Sequence, residues 1–310
     1  MKEKSHQILN SISQLHALLK LKKPAHPLVS VINAEDVNME QVEFLDPVVF
    51  NFYVINLKQN CVGKVKYGQQ YYDFDEGVMT FVAPGQRMEV EEPTEEEKNS
   101  ISQMTGWMLV IHPDFLHGYP LAKKIKDFGF FSYAVNEALH LSDREEQVMA
   151  GIIQNLQDEI AAIIDGYTQD VVISHIELLL NYSNRFYNRQ FITRKKVSND
   201  LLVRFEELLM AYFNDEAKKT DSLPSVQYFS DQLFVSPNYL NDMLKNLTGQ
   251  TTQQHIHGQL IEKAKELLST TSLSVSEIAY QLGFEYPQSF NKLFKNKTNV
   301  TPLEFRQSFN

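Results

Sequence analysis

The sequence predicts an α+β fold: an N-terminal β-barrel with a helical hairpin behind it, then an all-α domain of two helix-turn-helix units joined by a linker helix. Three observations carry this. Residues 47–112 are rich in β-branched and aromatic residues and are punctuated by Gly63, Gly68, Gly77 and Pro84-Gly85, the pattern of short strands and turns. From Ser142 the apolar residues recur every three or four positions, which is helical. From Val226 a segment recurs about 50 residues later, and a repeat of that length marks a structural unit.

The elements follow in order. Ile8, Ile12, Leu15 and Leu19 sit at helical spacing; Ser, Gln and His interrupt any secretory apolar core, so the spacing predicts a surface helix rather than a signal. The stretches "PVVFNFYVINL", "CVGKVKYGQQYYDF", "VMTFVAPGQRMEV" and "GWMLVIHP" read as strands of an antiparallel barrel or sandwich. Between the last two, "EVEEPTEEEKNS" is an acidic, solvated loop. Val148, Ile152, Leu156, Ile160 and Ile163, then Val172, Ile176, Leu179 and Phe186 after Gly166, predict a hairpin of two helices. They either cover the barrel or form a dimer interface. Arg189, Arg194, Lys195 and Lys196 gather in a polar stretch suited to a linker. The expected organisation is therefore 1–141, barrel; 142–190, hairpin; 191–199, linker; 200–310, helical domain.

Composition sets the outer bounds. The 310 residues are 43% hydrophobic and 22% charged, which is globular, and no apolar run reaches the ~20 residues of a membrane span. One cysteine, Cys61, forbids an internal disulfide and fits a reducing cytoplasm. The net charge of −10 argues against nucleic acid only on average. From Phe191 onward 13 Lys and Arg balance 13 Asp and Glu, so the whole acidic excess lies before it. Lys292, Lys295 and Lys297 then form an acid-free cluster that can neutralise phosphates locally.

The repeat aligns Val226–Leu247 with Val275–Lys297. Leu233 falls on Leu282 at a separation of 49; Pro237, Asn241, Lys245, Asn246, Thr248 and Thr251 fall on Pro287, Asn291, Lys295, Asn296, Thr298 and Thr301 at 50. In the second copy Ser274 and Glu277 predict a capping box, Gly283 a left-handed turn and Pro287 the first turn of a second helix. That helix turns Phe290, Leu293 and Phe294 inward and leaves Gln288, Ser289, Asn291, Lys292 and Lys295 outside. In the first copy Ser236 caps, Leu240, Met243 and Leu244 face inward, and Asn238, Asn241, Asp242 and Lys245 face out. Amides can pair with adenine, lysine with guanine or phosphate, and aspartate with cytosine. The intervening "TTQQHIHGQLIEKAKELLS" places Ile256, Leu260, Ala264 and Leu267 on one stripe, so one helix can hold both units about one turn of DNA apart, roughly 34 Å.

With the repeat, "SVSEIAYQLGF", "PQSFNKLFK" and "TPLEFR" make the segment from about Asp200 to Phe309 resemble the AraC/XylS family of transcription regulators. The resemblance implies double-stranded DNA and RNA polymerase as partners, a role as activator or repressor, a homodimer, and no catalytic activity. It implies base contacts from Asn238, Asn241, Asp242, Gln288, Ser289, Asn291 and Lys292. Phosphate contacts are assigned to Ser236, Lys245, Lys295, Lys297 and Thr301. Three positions depart from the family pattern: Phe234 stands where the second copy has Gly283, Leu260 where an arginine is frequent, and Asp242 where a basic residue is frequent. The resemblance further implies a cupin-like front domain that binds a small-molecule effector or dimerises. Tyr71, Tyr72, Phe74, Phe81 and Trp107 could line an effector pocket or fill the barrel core. The strands hold no histidine-rich constellation for a metal; His112 and His117 read as loop residues, and His255 and His257 lie about 200° apart on a helix. No cofactor is expected. The competing reading is a non-metal cupin-like binding protein or enzyme carrying a DNA-binding tail.

Overall fold

The computed structural model describes residues 7–37, 48–59, 64–67, 70–73, 77–88, 105–133, 137–163, 165–193, 195–214 and 223–308. The chain divides into two compact units, Met1–Gln190 and Phe191–Asn310. The first is built on β1 (Gln7–Leu9), α1 (Ile12–Leu18), β2 (Val29–Asn33), β3 (Val48–Phe50), β4 (Tyr53–Gln59), β5 (Lys64–Tyr67), β6 (Gln70–Asp73), β7 (Val78–Val82), β8 (Arg87–Met88), β9 (Thr105–Ile111), α2 (Leu121–Lys124), β10 (Leu139–His140), α3 (Asp143–Ala161) and α4 (Thr168–Thr193).

The strands were expected to close into a barrel, and among the described residues they do not. They form an antiparallel sheet ordered β10-β7-β4-β9-β2, a smaller sheet ordered β1-β3-β8 and the hairpin β5-β6. The five-stranded sheet therefore keeps two edges, β10 and β2. Its centre is apolar on both faces, which is why "FYVINL" runs without alternation. Tyr53, Ile55 and Leu57 pair with Ile111, Leu109 and Trp107 on one face. On the other, Val54, Val82 and Val110 join Ile12, Leu15, Phe50 and Phe52 in one core cluster. Gly106 pairs with Lys58 at φ 131°, where a Cβ would collide with the Leu57 carbonyl.

The helical hairpin is present. Ser142 and Glu145 form a capping box at the start of α3. Glu145 also accepts from Arg189 of α4 at 3.0 and 2.6 Å, and Arg189 donates to the His140 carbonyl at 2.8 Å. At the β10 edge, Gln190 accepts from the His140 amide at 2.8 Å and donates to the Ala138 carbonyl at 3.1 Å. A side-chain amide thus satisfies edge backbone groups that a further strand would otherwise pair.

Phe81 and Trp107, expected to line a pocket or fill a core, are 5% and 7% exposed. Phe81 packs against Phe130 at 4.4 Å and Phe131 at 5.7 Å between ring centres; the Trp107 indole N–H has no protein partner. The side chains of Tyr71 and Tyr72, and all of Phe74, lie outside the described residues.

The second unit is helical throughout its described residues: α5 (Lys195–Asn214), α6 (Val226–Leu233), α7 (Pro237–Thr248), α8 (Thr252–Thr270), α9 (Val275–Gln281), α10 (Pro287–Thr298) and α11 (Pro302–Gln307). The positions expected as linker, 191–199, contribute to the end of α4 and the start of α5. Leu260, Ile261, Ala264 and Leu267 of α8 enter one cluster with Ile278, Leu282, Phe290 and Phe294. Around the first copy Phe205, Phe229, Leu240, Met243, Leu244 and Ile256 are buried. The stripe on α8 therefore serves both units.

Candidate nucleic-acid interface

Each copy places its second helix by the same local chemistry. Ser236 caps α7 by accepting from the Tyr239 amide at 3.2 Å, and Pro237 occupies the first turn. In the second copy Ser274 and Glu277 make the expected capping box on α9, while α10 begins with Pro287 after Tyr286, whose side chain does not cap. The turns between helices are left-handed in both copies: Phe234 has φ 58° and Gly283 φ 88°. Phe234 is 77% exposed, so its side chain gains little packing for the backbone strain it carries. The second helices also end alike, on left-handed Gly249 and Asn299.

The predicted contact residues distribute unevenly. On α10 Gln288, Ser289, Asn291, Lys292, Lys295 and Lys297 are all exposed, while Phe290 and Phe294 are fully buried. On α7 Asn238 and Lys245 are exposed, but Asn241 and Asp242 are half-buried. Asn241 accepts from the Thr252 amide at 3.4 Å, and its NH2 group lies 3.5 Å from the Asp242 carboxylate. The residue of the second copy that aligns with Thr252 is Pro302. Proline has no N–H to donate, so Asn291 has no equivalent internal bond. The two aligned asparagines therefore differ: one ties α7 to α8, and the other presents its amide outward.

Charge follows the same asymmetry. α10 carries Lys292, Lys295 and Lys297 and no acid, whereas α7 carries Lys245 and Asp242. Thr301 caps α11, accepting from the Glu304 amide at 3.2 Å and donating to its carboxylate at 2.8 Å. The Thr301 amide, donating to the Glu304 carboxylate at 2.7 Å, then the Thr301 hydroxyl and the charge of Lys295, hold the Glu304 carboxyl below its usual value. His255 on α8 hydrogen-bonds Thr248 at 2.8 Å and stands edge-on to Phe205; burial lowers its pKa against the opposing pull of Glu206. Among the described residues no group of three His, Cys, Asp or Glu could hold a metal ion. No described helix is long and apolar enough to cross a membrane.

The bond between Asn241 and Thr252 escapes a reading of helix faces, because it depends on where the next helix begins. The signal that could have found it was the replacement of Thr252 by Pro302 within an otherwise matched repeat.

The matches to known proteins fall on the same helices. The helix-turn-helix domain family matches residues 229–308. The uncharacterized transcriptional regulatory protein YesN of Bacillus subtilis is 39% identical over 79 residues, 25% of this chain and 22% of that protein. The transcriptional activator RhaS of Escherichia coli is 33% identical over 100 residues, 32% of this chain and 35% of RhaS. This chain thus spans about a third or less of each of these relatives. Among solved structures, the C-terminal domain of the two-component response regulator yesN of Fusobacterium nucleatum is 37% identical, with a TM-score of 0.29. The match covers 33% of this chain and 96% of that domain.

Proposed function

Since residues 229–308 are a helix-turn-helix domain of the AraC type, we propose that the chain is a sequence-specific transcription regulator that reads a bipartite DNA site through α7 and α10. The observation that supports it is the repeat itself: two helices with apolar inner faces and polar outer faces, both anchored on α8. Gln288, Ser289, Asn291 and Lys292 are assigned to base edges, with Lys295, Lys297 and the α11 cap Thr301 on phosphates. Asn238 and Asp242 take base edges from α7, Ser236 and Lys245 its phosphates. Asn241 contributes through its amide NH2, its oxygen being already engaged. The first unit senses a small molecule or dimerises; exposed Val171 and Leu178, seven residues apart on α4, suit a second copy of the chain. Activation, through contact with RNA polymerase, belongs to the same reading.

Selection of bound duplexes from a random pool, using the full chain, tests this. Enrichment of two short motifs separated by about one helical turn, roughly 10 base pairs, is expected. A pool that yields no motif, or binding indifferent to salt, would overturn it.

A further inference from the structure

At the β2 edge of the five-stranded sheet the first unit holds a cavity of about 600 Å³, lined by Lys20, Lys22, Lys23, Leu21, Ile32 and Ile160 among others. We propose that this cavity binds a small organic anion: a carboxylate on an apolar body, with the three lysines on the carboxylate and the aliphatic side chains on the body. The volume falls in the range of small-molecule sites, which run about 300 to 1,000 Å³.

Charge is the first argument. Lys20, Lys22 and Lys23 form no ion pair among the described residues, and the one acid in the lining, Asp36, already accepts from Asn33 at 3.3 Å. All three are exposed and line the cavity against a single carboxylate, so a ligand anion would meet a net positive charge there.

The second argument is that the lysine loop is fixed before any ligand arrives. The Leu21 amide donates back to the His16 carbonyl at 2.9 Å and the Lys20 amide to Ala17 at 3.2 Å, closing α1. His16, itself 8% exposed, donates from Nδ1 to the Lys22 carbonyl at 2.6 Å. Its Nε2 hydrogen-bonds the hydroxyl of Ser30 on β2, 3.0 Å away. A buried imidazole thus clamps the loop to the sheet, and a pre-formed site loses less order on binding.

The third argument is Lys20 itself. It occupies the left-handed position after α1 at φ 58°, where glycine carries no steric penalty and lysine does. Its cationic side chain therefore stands at a position that backbone energetics favours for glycine.

This site deepens the sensing part of the proposed function and rests on it only for its consequence. Titration calorimetry on the full chain, with hexanoate, hexanamide and inorganic phosphate as probes, tests the binding. Saturable hexanoate binding is expected, with hexanamide and phosphate each weaker by about tenfold or more. Lys20→Gly should raise the melting temperature while weakening hexanoate, and adding Lys22→Gln and Lys23→Gln should remove at least about tenfold of the affinity. Equal binding of hexanoate and hexanamide, equal binding of phosphate, no saturable hexanoate binding below about 10 mM, or an unchanged folded triple variant would each overturn the site. DNA affinity with hexanoate bound is a separate measurement: no change there would count against sensing and leave the binding site standing.

Discussion

Asn241 and Asn291 occupy the same place in the repeat, yet a single backbone proton divides their roles. Thr252 offers an N–H to the first, and Pro302 offers none to the second. An amide that is free at both ends can pair with adenine bidentately, so Asn291→Ala should cost about 1 to 3 kcal/mol at the cognate site and relax preference at particular base positions. Lys295→Ala should weaken every sequence alike and lower the salt slope by about one counterion. Affinities across single-base variants at two salt concentrations separate these outcomes; uniform loss from Asn291→Ala would reverse the orientation assigned to α10. Phe234 gives a prediction of stability rather than affinity. Its left-handed backbone with an exposed ring means that Phe234→Gly should raise unfolding free energy by up to about 1 kcal/mol in a denaturant titration. His255 predicts a pH dependence. Burial holds its folded pKa below the usual 6.5, so folding favours the neutral ring. That contribution is complete above about pH 6.5 and fades as pH falls towards the depressed value. His255→Phe, the residue aligned with it at Phe305, should flatten the loss of melting temperature between pH 7 and pH 5.

At the scale of elements, the second unit was largely legible because its signals are local. A capping box, a proline at a first turn and an apolar stripe each specify a helix boundary or face within a few residues, and Ser274, Pro287 and Phe290 all behave as those rules require. The sheets were legible as strands but not as a barrel or its absence. Period-2 alternation says nothing about neighbours, and here the pairing of Gln7 with Val48 joins residues 41 apart in a parallel register. Leu139 and His140 make an edge strand too short to show any period. Phe81 and Trp107 were ambiguous for a related reason, since pocket and core share one composition until the packing partners, such as Phe130, are known. Gly106 is the position where the strand pattern most constrains the backbone. Its φ of 131° and its approach to the Leu57 carbonyl leave no room for a methyl group, so Gly106→Ala should destabilise the first unit by about 2 to 4 kcal/mol. A melting temperature within about a degree of the parent would show that β4 and β9 can separate freely there.

Over the whole molecule, charge and chemistry are divided between the two units. The first carries the entire excess of −10, while the second has no net charge and owns the acid-free α10. Phosphate contacts from the second unit are short-range, whereas repulsion between DNA and the acidic first unit acts through solvent and fades with the Debye length, about 30 Å at 0.01 M salt and about 10 Å at 0.1 M. On a 12-base-pair duplex of unrelated sequence, which leaves no room for two chains to gain by avidity, fragment 191–310 should therefore bind more tightly than the full chain at 0.01 M salt, by roughly tenfold. The two affinities should converge above about 0.1 M, because the screened repulsion vanishes while the contacts proposed for Lys292, Lys295 and Lys297 are common to both proteins. Fluorescence anisotropy across that salt range checks it. Equal affinity at low salt would mean that the acidic charge never faces the duplex; a gap that persists at high salt would mean that the first unit obstructs α7 and α10 by contact rather than by field.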